Sequence, residues 1–135
     1  MTDSKSLLGT WYLRSMTTEF DDGTLILPYG ARAMGRIHYA DDGFMAAHLW
    51  DPGRHVKGPK DTNPDPAYFS YTGVYRIEGN QVIHTVVAAT PASWTGVDKL
   101  RTIKWVGEDV ELTADVIFEG KLGRGVLRWG RENAT

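Results

Sequence analysis

Apolar and polar residues alternate with a period of two through most of the chain, and this pattern predicts β-strands. In residues 68–78, for example, Tyr71, Gly73 and Tyr75 fall on one face, while Ser70 and Thr72 fall on the other. No segment of useful length shows the 3.6-residue period of a helix. The predicted strands are residues 9–20, 34–40, 44–50, 68–78, 81–90, 98–106, 109–118 and 124–131.

Short turns separate most of these strands, so neighbours in sequence can pair as antiparallel hairpins. Asp41-Asp42-Gly43, Gly79-Asn80 and Gly107-Glu108 are predicted turns, because glycine reaches the positive φ that they need. Eight sequential strands predict an all-β fold: an eight-stranded antiparallel up-and-down β-barrel, with residues 1–135 as one domain. A two-sheet sandwich is the alternative, although it requires more crossover connections.

Four longer connections interrupt the meander. Residues 24–33 contain Leu25-Ile26-Leu27 and Pro28-Tyr29-Gly30 and are predicted to fold over an apolar surface. Residues 51–66 hold four of the six prolines and are predicted to be an irregular loop. Residues 91–96 carry Trp94, which either caps the barrel mouth or fastens its own loop, and residues 119–123 are predicted to be a loop before the last strand.

The phase of the alternation predicts which side chains face the interior. It is ambiguous in residues 44–50, where either Met45 or His48 points inward. It is weak in residues 81–90, where Val82, His84, Val86 and Ala88 share one nearly apolar face and an equally apolar set shares the other. The predicted wall is aromatic with a few polar groups and consists of Tyr39, Tyr71, Tyr75, His84, Arg101, Trp105 and Trp129, with Met45 or His48.

Composition narrows the classes of function. The 135 residues include 15 basic and 17 acidic side chains without a block of like charge, so neither nucleic acid nor an anionic membrane is an expected partner. Cysteine is absent, the first residues lack the apolar run of a signal peptide, and no stretch approaches the roughly 18 apolar residues of a membrane helix. We therefore expect a cytoplasmic protein without disulfides.

Four histidines, His38, His48, His55 and His84, show no metal-ligand spacing, so we expect no metal and no cofactor. His84 is a candidate general acid or base, because histidine titrates near neutral pH. Arg101 is a candidate anchor for an anion or enolate, and Tyr75 and Tyr71 are candidate donors to a developing oxyanion. The competing interpretation makes these side chains a satisfied barrel core.

Eight short segments, taken in order, resemble the small bacterial and fungal lipocalin-like domain proteins: Leu7-Leu8-Gly9-Thr10-Trp11, Pro28-Tyr29-Gly30, Gly35-Arg36-Ile37-His38-Tyr39, Asp42-Gly43-Phe44-Met45-Ala46-Ala47, Tyr71-Thr72-Gly73-Val74-Tyr75, Val82-Ile83-His84, Trp94-Thr95-Gly96 and Leu127-Arg128-Trp129. The resemblance implies an eight-stranded calycin-type barrel. It also implies that Trp11 closes the bottom, with Arg128 or Arg131 packed over its ring.

Three functions follow as hypotheses. The first, which the resemblance implies, is binding of a small, partly apolar organic molecule inside the barrel, with Tyr39, Met45, His48, Tyr71, Trp94, Trp105 and Trp129 as ligand-binding residues. The second is a metal-free cyclase, isomerase or lyase of secondary metabolism, with His84, Arg101 and Tyr75 as catalytic residues. The third is a structural module with a filled core. Outward-facing Ile83 and Val87 permit a homodimer.

Overall fold

The computed structural model describes residues 5–53 and 67–132. Most of the 51–66 loop and His55 therefore lie outside the described residues. The described part contains one 3-10 turn, Ala92–Trp94, and nine strands: β1 (Gly9–Phe20), β2 (Leu25–Ile26), β3 (Met34–Tyr39), β4 (Phe44–Trp50), β5 (Tyr68–Glu78), β6 (Gln81–Thr90), β7 (Asp98–Val106), β8 (Asp109–Phe118) and β9 (Lys121–Gly130).

Eight of these strands close into one antiparallel barrel. The order is β1-β3-β4-β5-β6-β7-β8-β9, and β9 pairs again with β1. The closing register runs from Tyr12 opposite Gly130 to Phe20 opposite Gly123. Closure leaves no free edge, because each of these strands has a partner on both sides. The predicted up-and-down barrel is confirmed, and the two-sheet sandwich is wrong.

Two segments differ from the predicted elements. Leu25–Ile26 form a short ninth strand against Thr18 and Glu19, rather than belonging wholly to a loop. The last hairpin turns tightly at Glu119 and Gly120, both with positive φ, so Lys121 and Leu122 already belong to β9. The predicted loop over residues 119–123 is therefore wrong: a non-glycine residue in the left-handed region completes a two-residue turn.

The interior face of β4 is the one that carries Met45, Ala47 and Leu49, which are all buried. His48 is exposed on the outer surface, where its Nδ1 lies 2.7 Å from the hydroxyl of Tyr68. The prediction that His48 binds a ligand inside the barrel is therefore wrong, because its strand phase points it outward.

The interior face of β6 carries Val82, His84 and Val86, as predicted, but the pattern then changes phase. Thr72 pairs with Ala88 and Gly73 with Val86, so Val87 is an extra residue at a β-bulge. Ala88 is consequently exposed, contrary to the prediction.

The outer face of β6 is also less open than predicted. Ile83 is only 4% exposed and is therefore not part of an exposed apolar patch, whereas Val87 is 61% exposed. The homodimer stays a prediction. Of the two residues proposed for its interface, only Val87 is exposed.

The floor of the barrel is a clasp between the chain's two ends. The Arg131 guanidinium lies 3.6 Å from the centroid of the buried Trp11 ring and donates hydrogen bonds to the carbonyls of Leu8 and Ser6. Trp11 donates its indole N–H to the carbonyl of Leu7. Arg128 instead pairs with Asp109 at 2.9 Å, so Arg131 is the residue that covers Trp11.

Candidate functional site in the barrel interior

A cavity of about 240 Å³ lies inside the barrel above this floor. Its wall is mainly aliphatic and aromatic, and the described residues that line it include no carboxylate or side-chain amide. The lining residues are Met16, Tyr29, Ile37, Ala47, Leu49, Phe69, Tyr71, His84, Trp94, Arg101, Leu112, Ala114, Val116, Gly125, Leu127 and Trp129.

Aromatic side chains from the β6–β7 connector and β5 partly cover the cavity. The Trp94 ring packs edge-on against Phe69 at 4.7 Å and lies 5.5 Å from Tyr71. The ammonium group of Lys99 lies 3.8 Å from the Trp94 centroid, in a cation–π contact with the indole. Trp94 therefore belongs to the cavity wall at the end formed by the connector.

One corner of the cavity is polar, and His84 is its centre. The imidazole is 1% exposed, and each ring nitrogen meets a tyrosine hydroxyl. Nε2 lies 2.7 Å from the hydroxyl of Tyr39, and Nδ1 lies 2.6 Å from that of Tyr71. Strands β3, β5 and β6 thus contribute one side chain each to a single hydrogen-bonded group.

Burial controls the protonation of this group. Burial, with the nearby positive charge of Arg101, lowers the pKa of His84 from 6.5 to about 3. The imidazole is therefore neutral at neutral pH. Burial also raises the pKa of Tyr39 well above its usual value, so this hydroxyl keeps its proton.

Arg101 lies beside the Tyr71 hydroxyl on the cavity wall. Burial raises the pKa of Tyr71, and the charge and hydrogen bonding of Arg101 oppose that increase. Arg101 donates a hydrogen bond to the carbonyl of Leu100 at 3.1 Å. Within residues 5–53 and 67–132, no ion pair joins Arg101 to a carboxylate.

The comparisons with known proteins agree with this architecture. A family model described as a lipocalin-like domain matches residues 8–132. The chain belongs to the lipocalin-like domain family. No curated protein and no solved structure matches the chain. Lipocalin-like barrels suggest small-molecule binding, and this member has a concave, mainly apolar cavity inside its barrel.

The lipocalin-like barrel brings four of the predicted site residues to the cavity wall: Tyr71, His84, Arg101 and Trp129. Trp94 joins them from the connector. Tyr39 is not a lining residue, but its hydroxyl contacts Nε2 of His84, which does line the cavity.

Three other predicted site residues lie in the packed core or the floor. Met45 is fully buried. Tyr75 packs edge-on against Tyr39 at 4.8 Å and donates its hydroxyl to the carbonyl of Ala40. Trp105 packs on Trp11 at 6.0 Å.

Several lining residues of this lipocalin-like barrel were absent from the predicted site. Tyr29 and Phe69 reach the cavity, and Lys99 supports Trp94 at its edge. For Tyr29 the signal existed, because the 24–33 segment was predicted to fold over something apolar. Lys99 shares the alternation phase of Arg101, which could have placed it on the inner face.

Among residues 5–53 and 67–132, no group of three or more His, Asp or Glu side chains is close enough together to hold a metal ion. No helix in this part of the lipocalin-like chain has the length and apolar character needed to cross a membrane.

Proposed function

We propose that the barrel interior binds a compact, largely apolar organic molecule. The single observation that carries this proposal is the cavity of about 240 Å³ with a nearly continuous apolar wall. Ligand sites are usually concave and apolar with a few polar groups that orient the ligand, and volumes of roughly 300–1,000 Å³ are common. This cavity is at the small end, which favours a ligand of one or two rings.

The cavity also argues against a purely structural module. A barrel that serves only as a scaffold gains stability by filling its interior, because each empty volume forfeits packing contacts. Here small residues, Ala47, Ala114 and Gly125, face the space where larger side chains would fill it. An apolar ligand that enters would recover those contacts, at roughly 25 cal/mol for each Å² of apolar surface removed from water.

Binding can be tested by following tryptophan fluorescence while 2-methylnaphthalene or 2-naphthoate is added. Trp94 and Trp129 lie on the cavity wall, so a bound naphthalene ring should change their emission. The proposal predicts saturable binding to the native protein and its loss in Ala114→Phe, which places a ring inside the cavity. Flat titrations with both probes and with a wider panel of one- and two-ring compounds would contradict it.

A second candidate function is metal-free catalysis by a cyclase, isomerase or lyase in the same cavity. The observation that favours it is the meeting of His84, Tyr71 and Arg101 at one corner, where hydroxyl and guanidinium groups can stabilise an enolate oxygen. Both ring nitrogens of His84 are engaged by tyrosines, so His84 acts as a base only after one of these hydrogen bonds opens. Tyr75 donates its hydroxyl to the carbonyl of Ala40, so it has no catalytic role in this proposal.

An enolisable ketone distinguishes catalysis from binding alone. 2-Tetralone in D₂O exchanges its α-hydrogens through an enolate, and NMR measures the rate. The catalytic candidate predicts faster exchange with the native protein than with Tyr71→Phe or Arg101→Met. Exchange at the buffer rate, with 2-tetralone shown to be bound, would reject catalysis of this kind and leave binding in place.

A further inference from the structure

We propose that the ligand carries an anionic oxygen, a carboxylate or an enolate, at the end that meets Tyr71 and Arg101. The inference rests on the proposed binding function and goes beyond it by naming the ligand's polar chemistry. It follows from where the protons of the Tyr39 hydroxyl, the His84 imidazole and the Tyr71 hydroxyl must lie.

The side chain of Tyr39 is buried, with the residue only 1% exposed. Its hydroxyl meets only His84 Nε2 among the described side chains, at 2.7 Å. A buried donor left without an acceptor costs about 1–3 kcal/mol, so Tyr39 donates its proton to Nε2. Nε2 is therefore unprotonated.

The neutral imidazole must then carry its hydrogen on Nδ1. That N–H points at the oxygen of Tyr71, 2.6 Å away. Tyr71 is thereby an acceptor toward His84, and its own O–H must find another partner. Tyr71 lines the cavity, so the hydroxyl hydrogen is available to whatever occupies that space. His84 acts here as a positioning residue that sets the polarity of Tyr71.

The neighbouring groups add donors and positive charge to this corner. Arg101 lies beside Tyr71 on the cavity wall and has no carboxylate partner in the described part of the chain. Lys99 precedes it by two residues on the same strand face and contacts Trp94. None of the described residues that line the cavity is an aspartate or glutamate. The local field therefore favours a negative group.

Trp129 supplies a further, independent donor. Its side chain is 2% exposed and lines the cavity, and its indole Nε1 has no hydrogen-bond partner within the described chain. Trp129 lies on β9, across the barrel from Tyr71 on β5. An acceptor on the body of the ligand, or on a water held beside it, would satisfy this N–H.

Three polar groups on the cavity wall are thus donors: the Tyr71 hydroxyl, the Arg101 guanidinium and the Trp129 indole. A ligand amine or ammonium group placed beside them would meet donors without an acceptor, which is costly inside an apolar wall. A carboxylate or enolate oxygen accepts from Tyr71 and Arg101 together, and charge-assisted hydrogen bonds of this kind are about twice as strong as neutral ones.

The proton positions inferred for Tyr39, His84 and Tyr71 can be tested without a ligand. ¹⁵N NMR of histidine-labelled protein at neutral pH reports the tautomer of each imidazole. We expect His84 to show a protonated, pyrrole-type Nδ1 and an unprotonated, pyridine-type Nε2. The opposite tautomer would mean that Tyr71 donates to His84, and it would overturn the inference. Tyr71→Phe should leave the tautomer unchanged, since Tyr39 sets it.

The ligand class is tested with four probes of one shape: 2-naphthoate, 2-naphthamide, 2-naphthylmethylammonium and 2-methylnaphthalene. The native protein should bind naphthoate about tenfold or more tighter than naphthamide, and the ammonium compound most weakly. Tyr71→Phe and Arg101→Met should each reduce the preference for naphthoate, with 2-methylnaphthalene affinity nearly unchanged. His48→Gln, on the outer surface, is the matched control and should change neither affinity.

The outcomes separate the two proposals. If 2-methylnaphthalene binds in the cavity but naphthoate has no advantage, the anionic-ligand inference is wrong and the binding function stands. An ammonium probe that binds best would overturn the inference in the same way. If none of the four probes binds, both proposals fail.

Discussion

His84 gives the clearest example of a single residue whose chemistry is set by its surroundings. A histidine in water is partly charged near neutral pH, whereas this one is held neutral by burial and by the nearby charge of Arg101. Its two ring nitrogens form hydrogen bonds with Tyr39 and Tyr71 and so position both hydroxyls. The hydroxyl that it orients, rather than the imidazole itself, is the group presented to the cavity.

Stability should depend on pH through this residue. Because the folded pKa of about 3 lies below the usual 6.5, the unfolded chain binds the proton first as the pH falls. Stability is then complete above about pH 6.5 and declines toward pH 3, by up to about 1.4 kcal/mol per pH unit.

The pH effect can be measured by urea unfolding between pH 4.5 and 7.5. His84→Gln, which has no titrating group there, should show a smaller slope than the native protein. His48→Gln should keep the native slope. Equal slopes for the native protein and His84→Gln would show that burial does not hold His84 neutral.

Arg131 is the residue whose loss should affect stability rather than binding. Arg131→Met removes the contact with Trp11 and the hydrogen bonds to Leu8 and Ser6, so the free energy of unfolding should fall by about 2 kcal/mol. Arg124→Met, which breaks an exposed pair with Glu19, should cost less than about 1 kcal/mol. Similar losses of unfolding free energy in the two variants would contradict a stabilising role for the contact between Arg131 and Trp11.

At the scale of elements, the bulge between β5 and β6 fixes the alignment that brings Tyr71 to the cavity. Gly73 sits at the bulge, and a Cβ there would lie only 2.0 Å from the carbonyl oxygen of Thr85. The backbone approach is therefore possible only for glycine. The bulge also exchanges the faces of β6 after Val86, so that Ala88 is exposed.

Gly73→Ala should lower the free energy of unfolding by about 2–4 kcal/mol, because two backbones must separate. Gly125→Ala is the matched control: its Cβ would meet a Val116 methyl at 3.3 Å, which can move slightly, and it should cost less than about 1 kcal/mol. Chemical denaturation measures both, and an equal cost would mean that the bulge is not confined by Gly73.

The strands themselves were largely predictable from the sequence, since alternation marks β5 and the turns at Asp41-Asp42-Gly43 and Gly79-Asn80 mark two of the hairpins. The exceptions have physical causes. Gly123 and Gly125 weakened the strand pattern of β9, although they are buried opposite β1 and β8. The bulge in β6 could not be predicted from the sequence, because an extra residue shifts the inward–outward alternation without changing the residue types in the strand.

At the scale of the whole molecule, closure of the barrel separates a packed end from an open interior. The floor is filled by the Trp11 clasp and by Trp105, while small residues on β4, β8 and β9 leave the cavity open. Alternation in the sequence was enough to expect Tyr71, His84 and Arg101 on the wall, but not its aliphatic residues. It could not predict which tryptophans reach the cavity, because height along the barrel depends on the stagger between strands.

Filling the cavity is the whole-molecule test of its role. Ala114→Phe should abolish naphthalene binding while the protein remains folded by circular dichroism, since the added ring occupies the ligand's space. Ala88→Phe adds the same ring to the outer surface and should leave affinity within about twofold of native. Retained binding in Ala114→Phe would place the site elsewhere.

The most direct measurement is an NMR titration that follows the five tryptophan indole N–H resonances while 2-naphthoate is added. The account predicts saturable shifts for Trp94 and Trp129 on the cavity wall, with Trp11 nearly unchanged because its N–H is bonded to Leu7 in the floor. Unchanged Trp94 and Trp129 resonances, or shifts confined to Trp50 on the outer surface, would contradict binding inside the barrel.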